Sequence, residues 1–137
     1  MDSTRRNKEG VAPLMPLIKK LEAAKTNKQL FEIQLSQAPY GEQEFFFGYF
    51  GADEKNAGQN ILNLYQGGLT LGQKEYYLEN DKATADIREA FKKHVVKMFQ
   101  LFGFSKSAAT KKMQNIMKVE TELAKVSKSR TELRDPS

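Results

Sequence analysis

Few side chains in this sequence are suited to catalysis or to metal binding. The chain has a single histidine, His94, and no cysteine. Zinc hydrolases usually bind their metal through two or three imidazoles, whereas thiolate zinc sites, disulfides and cysteine nucleophiles all require cysteine. A lone histidine between Lys93 and Val95 is more often a boundary residue than a metal ligand or general base. The sequence therefore predicts no catalytic, cofactor-binding or metal-binding residue, and this chain alone is not expected to be an enzyme.

Two glycine-containing patterns are similar to ligand-binding loops but lack the residues that bind the ligand. The segment 53–64 has the Asp and Gly of a calcium loop at its first and sixth positions, but it has lysine, alanine and leucine where oxygen ligands are required. The glycines at 48 and 51 and at 67 and 68 do not follow the spacing of a phosphate-binding loop. We therefore expect a hairpin turn at 53–58 and turns at both glycine pairs.

Basic residues are the remaining candidates for ligand binding. The chain has 22 Lys and Arg against 17 Asp and Glu, a formal net charge of +5. On one predicted helix the basic residues are expected to lie opposite the apolar stripe, where charge solvates the outer face: Arg88, Lys92, Lys93 and Lys97. Nearby glutamates dilute the positive field. No arginine-rich or RNP-type motif is present. We expect no nucleic-acid binding; a basic nucleic-acid module is a weaker hypothesis, which steeply salt-dependent binding would support.

Length and composition are typical of one soluble globular domain. The chain has 137 residues, of which 39% are apolar and 28% are charged. No apolar run approaches the ~20 residues that cross a bilayer. The basic start is followed by Glu9 and Gly10 instead of an apolar segment. The sequence therefore predicts neither a membrane span nor a signal peptide.

Apolar periodicity predicts a mainly α fold. One helix begins near Pro13, and a second follows a capping box at Thr26 and ends before Pro39. A single helical turn is expected at 74–78. Two longer amphipathic helices follow: the first has Thr84 as its N-cap and Gly103 as its C-terminal stop, and the second begins near Ser105. Their predicted core stripes are Ile87, Ala90, Phe91, Val95, Met98 and Phe102 in the first, and Ala109, Met113, Ile116, Met117, Glu120, Leu123 and Ala124 in the second.

One β-hairpin is predicted at about residues 44–65. Five aromatic residues occupy six positions from Phe45 to Phe50, a composition that favours a pleated strand, and a turn-rich stretch follows them. Because an isolated hairpin is only marginally stable in water, its aromatic face must pack against helices. Residues 127–137 form a polar tail without periodicity, for which the sequence shows no core partner.

Several stretches keep one order and near-constant spacing along the chain. The stretches are Gly10 with Pro13-Leu14 and Leu17-Ile18; Phe50-Gly51-Ala52-Asp53-Glu54-Lys55-Asn56 with Ile61; Gln66-Gly67-Gly68-Leu69-Thr70-Leu71; Glu75-Tyr76-Tyr77-Leu78; Met117-Lys118-Val119-Glu120-Thr121-Glu122-Leu123-Ala124; and Arg134-Asp135-Pro136. Together they resemble the neprilysin and endothelin-converting-enzyme family of zinc metalloendopeptidases, including bacterial oligopeptidase O. The sequence departs from the family pattern at Tyr65 and Glu75, where animal members have Asp.

The resemblance implies a piece of a larger enzyme. Residues 1–137 are then a single fragment of the helical, non-catalytic N-terminal lobe, which covers the active-site chamber and limits access to short peptides. The family's H-E-x-x-H helix and downstream Glu ligand are absent from this sequence. Zinc therefore belongs to the parent enzyme, and this segment is expected to bind no metal and to be inactive alone. Its implied partners are the catalytic lobe of the same polypeptide and, in the parent, peptide substrates.

The lack of cysteine also bears on the source of the parent. Animal members are disulfide-linked, so the resemblance implies a bacterial parent in the cell envelope, periplasmic or secreted. Self-association of the fragment through a face that the other lobe normally covers is a further option. The alternative function is a stand-alone helical module that binds peptides or a protein and has no catalytic activity.

Overall fold

A computed structural model describes residues 3–37 and 46–134. The chain divides into two compact units, Met1–Gln43 and Glu44–Ser137. The described residues are mainly helical, with one two-stranded antiparallel sheet, so the predicted fold class is confirmed. The elements in chain order are α1 (Ser3–Glu9), a 3₁₀ turn (Ala12–Leu14), α2 (Met15–Ala23), α3 (Asn27–Gln37), β1 (Phe46–Ala52), β2 (Asn60–Gln66), α4 (Glu75–Leu78), α5 (Lys82–Leu101), α6 (Lys106–Val126) and a 3₁₀ turn (Glu132–Arg134).

The first unit contains α1 to α3, and α2 contacts α3. The predicted capping box is present at the start of α3, where the Gln29 N–H donates to Thr26 Oγ1 at 3.2 Å. Oε1 of Gln29 accepts a hydrogen bond from the N–H of Lys25 at 2.8 Å, whereas the motif predicts the N–H of Thr26, the next residue, as the donor. None of the described residues of this unit is buried. Pro39, where the sequence predicts the end of α3, lies outside the described residues.

The hairpin pairs β1 with β2 in a register that places Gly48 opposite Leu64 and Gly51 opposite Ile61. The prediction of a turn at these two glycines is therefore wrong, because both lie inside a strand. At position 51 glycine allows a close approach: a Cβ there would lie 2.6 Å from Cε2 of Tyr49, so a larger residue would require the Tyr49 ring to move. The predicted start of the hairpin, at residues 44 and 45, is outside the described part of the chain.

The turn at 53–59 confirms the expected hairpin turn and explains the calcium-like sequence. Asp53 Oδ1 accepts a hydrogen bond from the N–H of Lys55 at 2.9 Å, and Asn56 Oδ1 accepts one from the N–H of Gly58 at 3.3 Å. The Asp53 N–H donates to the Gln59 carbonyl at 2.9 Å and closes the turn. Short polar side chains at these positions therefore fold the backbone of the turn.

Helices α4, α5 and α6 pack against one another. The N-cap of α5 is Asp81 and not Thr84, because the Thr84 N–H donates to Asp81 Oδ1 at 3.0 Å while Thr84 itself is buried. Ser105 caps α6 as predicted, by accepting from the N–H of Ala108 at 3.2 Å. Gly103 separates the two helices with φ of 92°, a left-handed conformation that stops α5.

The core of the second unit is small and partly polar. On α5 only Val95 of the predicted stripe is buried, whereas Ile87 and Met98 are each 40% exposed. The prediction of one continuous buried stripe is therefore wrong: α4 and α6 both contact α5, yet the described residues leave Ile87 and Met98 largely uncovered. The buried residues are Tyr77, Thr84, Val95, Ala109, Glu120, Ala124 and Ser127.

The polar segment after α6 has partners that the sequence did not indicate. Gln66 Nε2 donates to the Lys128 carbonyl at 2.8 Å, and the Lys128 N–H donates back to Gln66 Oε1 at 2.8 Å. Lys74 Nζ donates to the carbonyl of the buried Ser127 at 2.9 Å. These bonds connect the end of α6 to β2 and to the residue before α4. Residues 135–137 lie outside the described part of the chain.

Candidate functional site

Among the described residues of the second unit, the least exposed carboxylate side chain belongs to Glu120 on α6, which is 9% exposed. Its Oε1 accepts a hydrogen bond from Thr70 Oγ1 at 2.7 Å. Its Oε2 accepts from the phenol of Tyr77 and, at 3.4 Å, from the N–H of Thr70. The Tyr77 oxygen in turn accepts from the N–H of Leu71 at 3.0 Å. Three neutral donors thus hold one buried negative charge, and we call Thr70, Tyr77 and Glu120 the Glu120 network.

Local sequence places the members of this network together. Gly68 and Gly72 adopt φ of 83° and 80°, which lets the chain turn tightly on both sides of Thr70. The short α4 then carries Tyr77 towards α6. Arg88 on α5 donates to the carbonyls of Tyr76 at 2.9 Å and Glu79 at 2.6 Å. The Arg88 guanidinium thus donates hydrogen bonds to carbonyl groups at the C-terminal end of α4, and these bonds connect α4 to α5.

The electrostatic consequence of the network appears at Tyr77. Burial raises the pKa of the Tyr77 phenol well above its usual value, and the hydrogen bond to Glu120 raises it further, while the N–H of Leu71 acts in the opposite direction. The phenol is therefore neutral at physiological pH and serves as a donor. Among residues 3–37 and 46–134, no Lys or Arg forms an ion pair with Glu120.

An apolar groove of about 430 Å³ lies beside the network, between α5 and α6. Thr70 and Glu120 contribute its polar lining, and the exposed His94 also lines it. The remaining lining side chains are apolar: Phe91, Val95, Met98, Phe99, Phe102 and Ile116. A groove with apolar walls and one carboxylate suits a side chain or ligand that has an apolar body and a hydrogen-bond donor.

The sequence predicted no catalytic, cofactor or metal residue, and that prediction stays untested. In the described ranges, no three His, Cys, Asp or Glu side chains lie close enough together to hold a metal ion. The basic residues of α5 and α6 are partly paired, as in Lys92 with Glu89 and Lys125 with Glu122, both at 2.7 Å. Lys112 Nζ lies 4.4 Å from the centre of the Phe104 ring. No helix in the part of the chain that the structure describes is long and apolar enough to span a membrane.

The Glu120 network is the feature that sequence reasoning missed. Periodicity placed Glu120 in the apolar stripe of α6 without assigning it a role. A signal was present, because a glutamate on a buried helix face costs free energy unless hydrogen bonds compensate its desolvation. Its donors, at positions 70 and 77, come from a loop and a one-turn helix whose distance from α6 no periodicity reveals.

Comparison with known proteins covers the whole chain. Residues 1–137 match the model for the N-terminal region of peptidase family M13. The endothelin-converting enzyme 1 of Cavia porcellus is 33% identical over 146 residues, and that of Homo sapiens is 32% identical over 146 residues. Each match covers 98% of this chain but only 19% and 18% of the two relatives. The chain therefore spans about a fifth of the length of the curated relatives that it matches.

Solved structures have the same fold. The zinc metalloprotease Zmp1 of Mycobacterium tuberculosis superposes with a TM-score of 0.87 in its open state and 0.88 in complex with an inhibitor, at 24% identity. These matches cover 98% of this chain and 21% and 20% of the Zmp1 chains. At this level of identity the likeness establishes the fold of the segment.

Proposed function

Because this chain belongs to peptidase family M13, we propose that it is a segment of the non-catalytic lobe of a zinc metalloendopeptidase of the neprilysin type. In this proposal the lobe covers the active-site chamber and admits short peptides, while the catalytic residues lie elsewhere in a longer polypeptide. The match of the family model over residues 1–137 is the observation that carries the proposal.

The donor chemistry of the described residues supports an architectural role for this segment. Glu120, the least exposed carboxylate among them, already accepts hydrogen bonds from Thr70 and Tyr77 and joins α6 to the preceding loop and to α4. No cluster of His, Cys, Asp and Glu in the described ranges has the composition of a zinc site. Because the described residues lack such a cluster, the proposal assigns the metal to the rest of the parent and derives no metal step from this chain.

The proposed role is mechanical. A lobe that closes over an active site excludes water and bulky substrates, and opening and closing of such elements often limits turnover. The α4–α6 packing and the Glu120 network would give the lobe a defined surface. The partners in this proposal are the catalytic lobe of the same polypeptide and its peptide substrates, and the parent is a bacterial protein of the periplasm or cell exterior.

The first test is the size and sequence of the native protein. An antibody against residues 82–126 captures it from its source, and mass spectrometry maps its peptides. We expect a chain several times larger than 15.6 kDa that contains H-E-x-x-H. A free native species near 15.6 kDa would overturn the proposal and support the alternative, a stand-alone helical module that binds peptides or a protein.

The second test is enzymatic. The purified full-length protein is incubated with peptides of increasing length and with a folded protein, with and without a zinc chelator. We expect cleavage of short peptides, loss of cleavage with chelator, and no cleavage of the folded protein. The 137-residue segment is the matched control and should give no cleavage above buffer. Chelator-sensitive cleavage by the segment would contradict its proposed inactivity, and cleavage of folded protein by the full chain would contradict the size limit.

A further inference from the structure

The groove between α5 and α6 has mostly apolar walls but also contains a carboxylate. Glu120 lines it with a carboxylate that is 9% exposed and accepts three hydrogen bonds, all from neutral groups. A carboxylate has about four lone-pair sites, so one acceptor position on Oε1 is left. Within residues 3–37 and 46–134 no Lys or Arg forms an ion pair with Glu120.

The chemistry of the groove selects one kind of occupant. A buried charge is retained at lower cost when an opposite charge and hydrogen bonds compensate its desolvation. Lysine and arginine combine an alkyl stem, which packs on apolar surface, with a cationic head that donates several hydrogen bonds. Here the stem would lie against Phe91, Met98 and Ile116, and the head would reach Glu120.

We propose that, in the intact protein, a lysine or arginine from a part of the polypeptide outside these 137 residues lies in this groove and forms an ion pair with Glu120. The curated relatives are about five times as long as the segment that they match, so a parent of that length has ample chain to supply the residue. This proposal rests on the proposed function, because it requires a longer parent polypeptide.

Photo-cross-linking in the full-length protein tests the occupant. Benzoylphenylalanine replaces His94, an exposed residue that lines the groove, and in a control protein it replaces Lys93, an exposed neighbour that does not line it. After irradiation, mass spectrometry identifies the linked peptide. We expect the probe at His94, and not the probe at Lys93, to link to one peptide of the same polypeptide that lies outside the segment and contains Lys or Arg.

Other cross-linking results overturn the proposal. They are a link to a second copy of the chain, a link to a different protein or to residues 1–137, and a yield at His94 no higher than at Lys93. Peptide hydrolysis is measured on the same preparations. A full-length protein that hydrolyses peptides but gives no such link would disprove this inference and leave the proposed function standing, whereas a native chain of only 137 residues would remove both.

A thermodynamic cycle tests the ion pair itself. The cross-linked Lys or Arg is changed to Met, which keeps an apolar stem, and this change is combined with Glu120→Gln. Each single change should lower Tm by several degrees. The Tm of the double variant should be no lower than that of the less stable single variant, because the second change has no ion pair left to remove. Additive losses would disprove the pairing. If Glu120→Gln does not fold, a second comparison uses only the partner position, where Lys is exchanged for Arg or Arg for Lys. An unchanged Tm in this charge-conserving variant, together with a lowered Tm in the Met variant, supports the ion pair. An equal decrease of Tm in both variants overturns it.

Discussion

The hairpin and the α4–α6 helices belong to one unit but are stabilised in different ways. Every buried side chain among the described residues lies between Tyr77 and Ser127. In the hairpin, by contrast, Phe50 is 81% exposed and Leu64 is 64% exposed, although both are as apolar as any residue of the helices. Strand pairing and the turn determine the geometry of the hairpin, whereas packing determines that of the helices. Apolar composition therefore led to burial only where a second layer of structure covers it.

Among the described residues, the helices α4–α6 have a core in which the most buried side chains are small. The side chains with no exposed surface are Ala109 and Ala124, and no large side chain is fully buried. Small residues let α5 and α6 approach closely but bury little apolar area. The hydrogen bonds of the Glu120 network add specific contacts that join α6 to α4 and to the loop that precedes α4. Four changes test this contrast between a packed helical part and an exposed hairpin.

The largest expected effect follows truncation of Tyr77. Tyr77→Ala removes a buried ring and leaves Glu120 and the N–H of Leu71 without their shared partner, so we expect a loss of about 3–5 kcal/mol in the free energy of unfolding. The control is Tyr49→Ala in the hairpin, whose ring is exposed and stacks on Tyr65 at 5.8 Å. Chemical denaturation of both variants measures the difference. Equal losses would show that the two regions are equally well packed.

Overpacking at the contact between helices should have the next largest effect. Ala124 has no exposed surface, so Ala124→Leu adds three heavy atoms at a fully buried position. We expect a loss of about 1–3 kcal/mol in the free energy of unfolding. The matched control is Val126→Leu, two residues further along α6 at a highly exposed position, with an expected change within about 0.5 kcal/mol. Thermal unfolding compares the two. A tolerated leucine at 124 would contradict the close packing of α6.

The connection between hairpin and helices is expected to be weaker. Gln66→Ala removes both hydrogen bonds to the backbone of Lys128, and we expect a loss of about 1 kcal/mol, felt mainly as local opening of the hairpin. Hydrogen exchange of the β1 and β2 amides should accelerate while that of α5 and α6 changes little. Gln59→Ala, in the exposed turn, is the control. Uniform acceleration across the unit would indicate that the hairpin and the helices open together.

The smallest effect concerns pH. Hydrogen bonds from Thr84 lower the pKa of the Asp81 carboxyl in the folded state. This contribution to stability is therefore complete above the unfolded carboxyl pKa of about 3.9 and is lost as the pH falls through the lower folded value. Asp81→Asn keeps a capping oxygen but does not titrate, so its stability should fall less between about pH 5 and pH 2. Urea denaturation at several pH values measures both slopes; identical slopes would contradict a titrating cap.

Much of the secondary structure could be predicted because its causes are local. The Thr26 capping box, the Ser105 cap and the stop at Gly103 act within one or two helical turns, and each is present. The error at the start of α5 is also local: Thr84 and Asp81 are both good caps, and only the backbone conformation at Asp81 decides between them. The resemblance to zinc metalloendopeptidases was confirmed by the family match, since it depended on ordered motifs along the whole chain.

Sequence by itself predicted α2 to α6, the hairpin and the family, because these depend on neighbours in the chain or on motif order, but it did not predict α1 (Ser3–Glu9). Tertiary structure alone decided which faces are covered and which polar groups meet. Ile87 and Met98 belong to the same stripe as Val95, yet of these three only Val95 is buried, although α4 and α6 both contact α5. Glu120 meets Thr70 and Tyr77 across 50 and 43 residues of sequence, through a turn that left-handed glycines make possible. Burial and long-range hydrogen bonding depend on distances in space, and the packing of α4, α5 and α6 sets those distances.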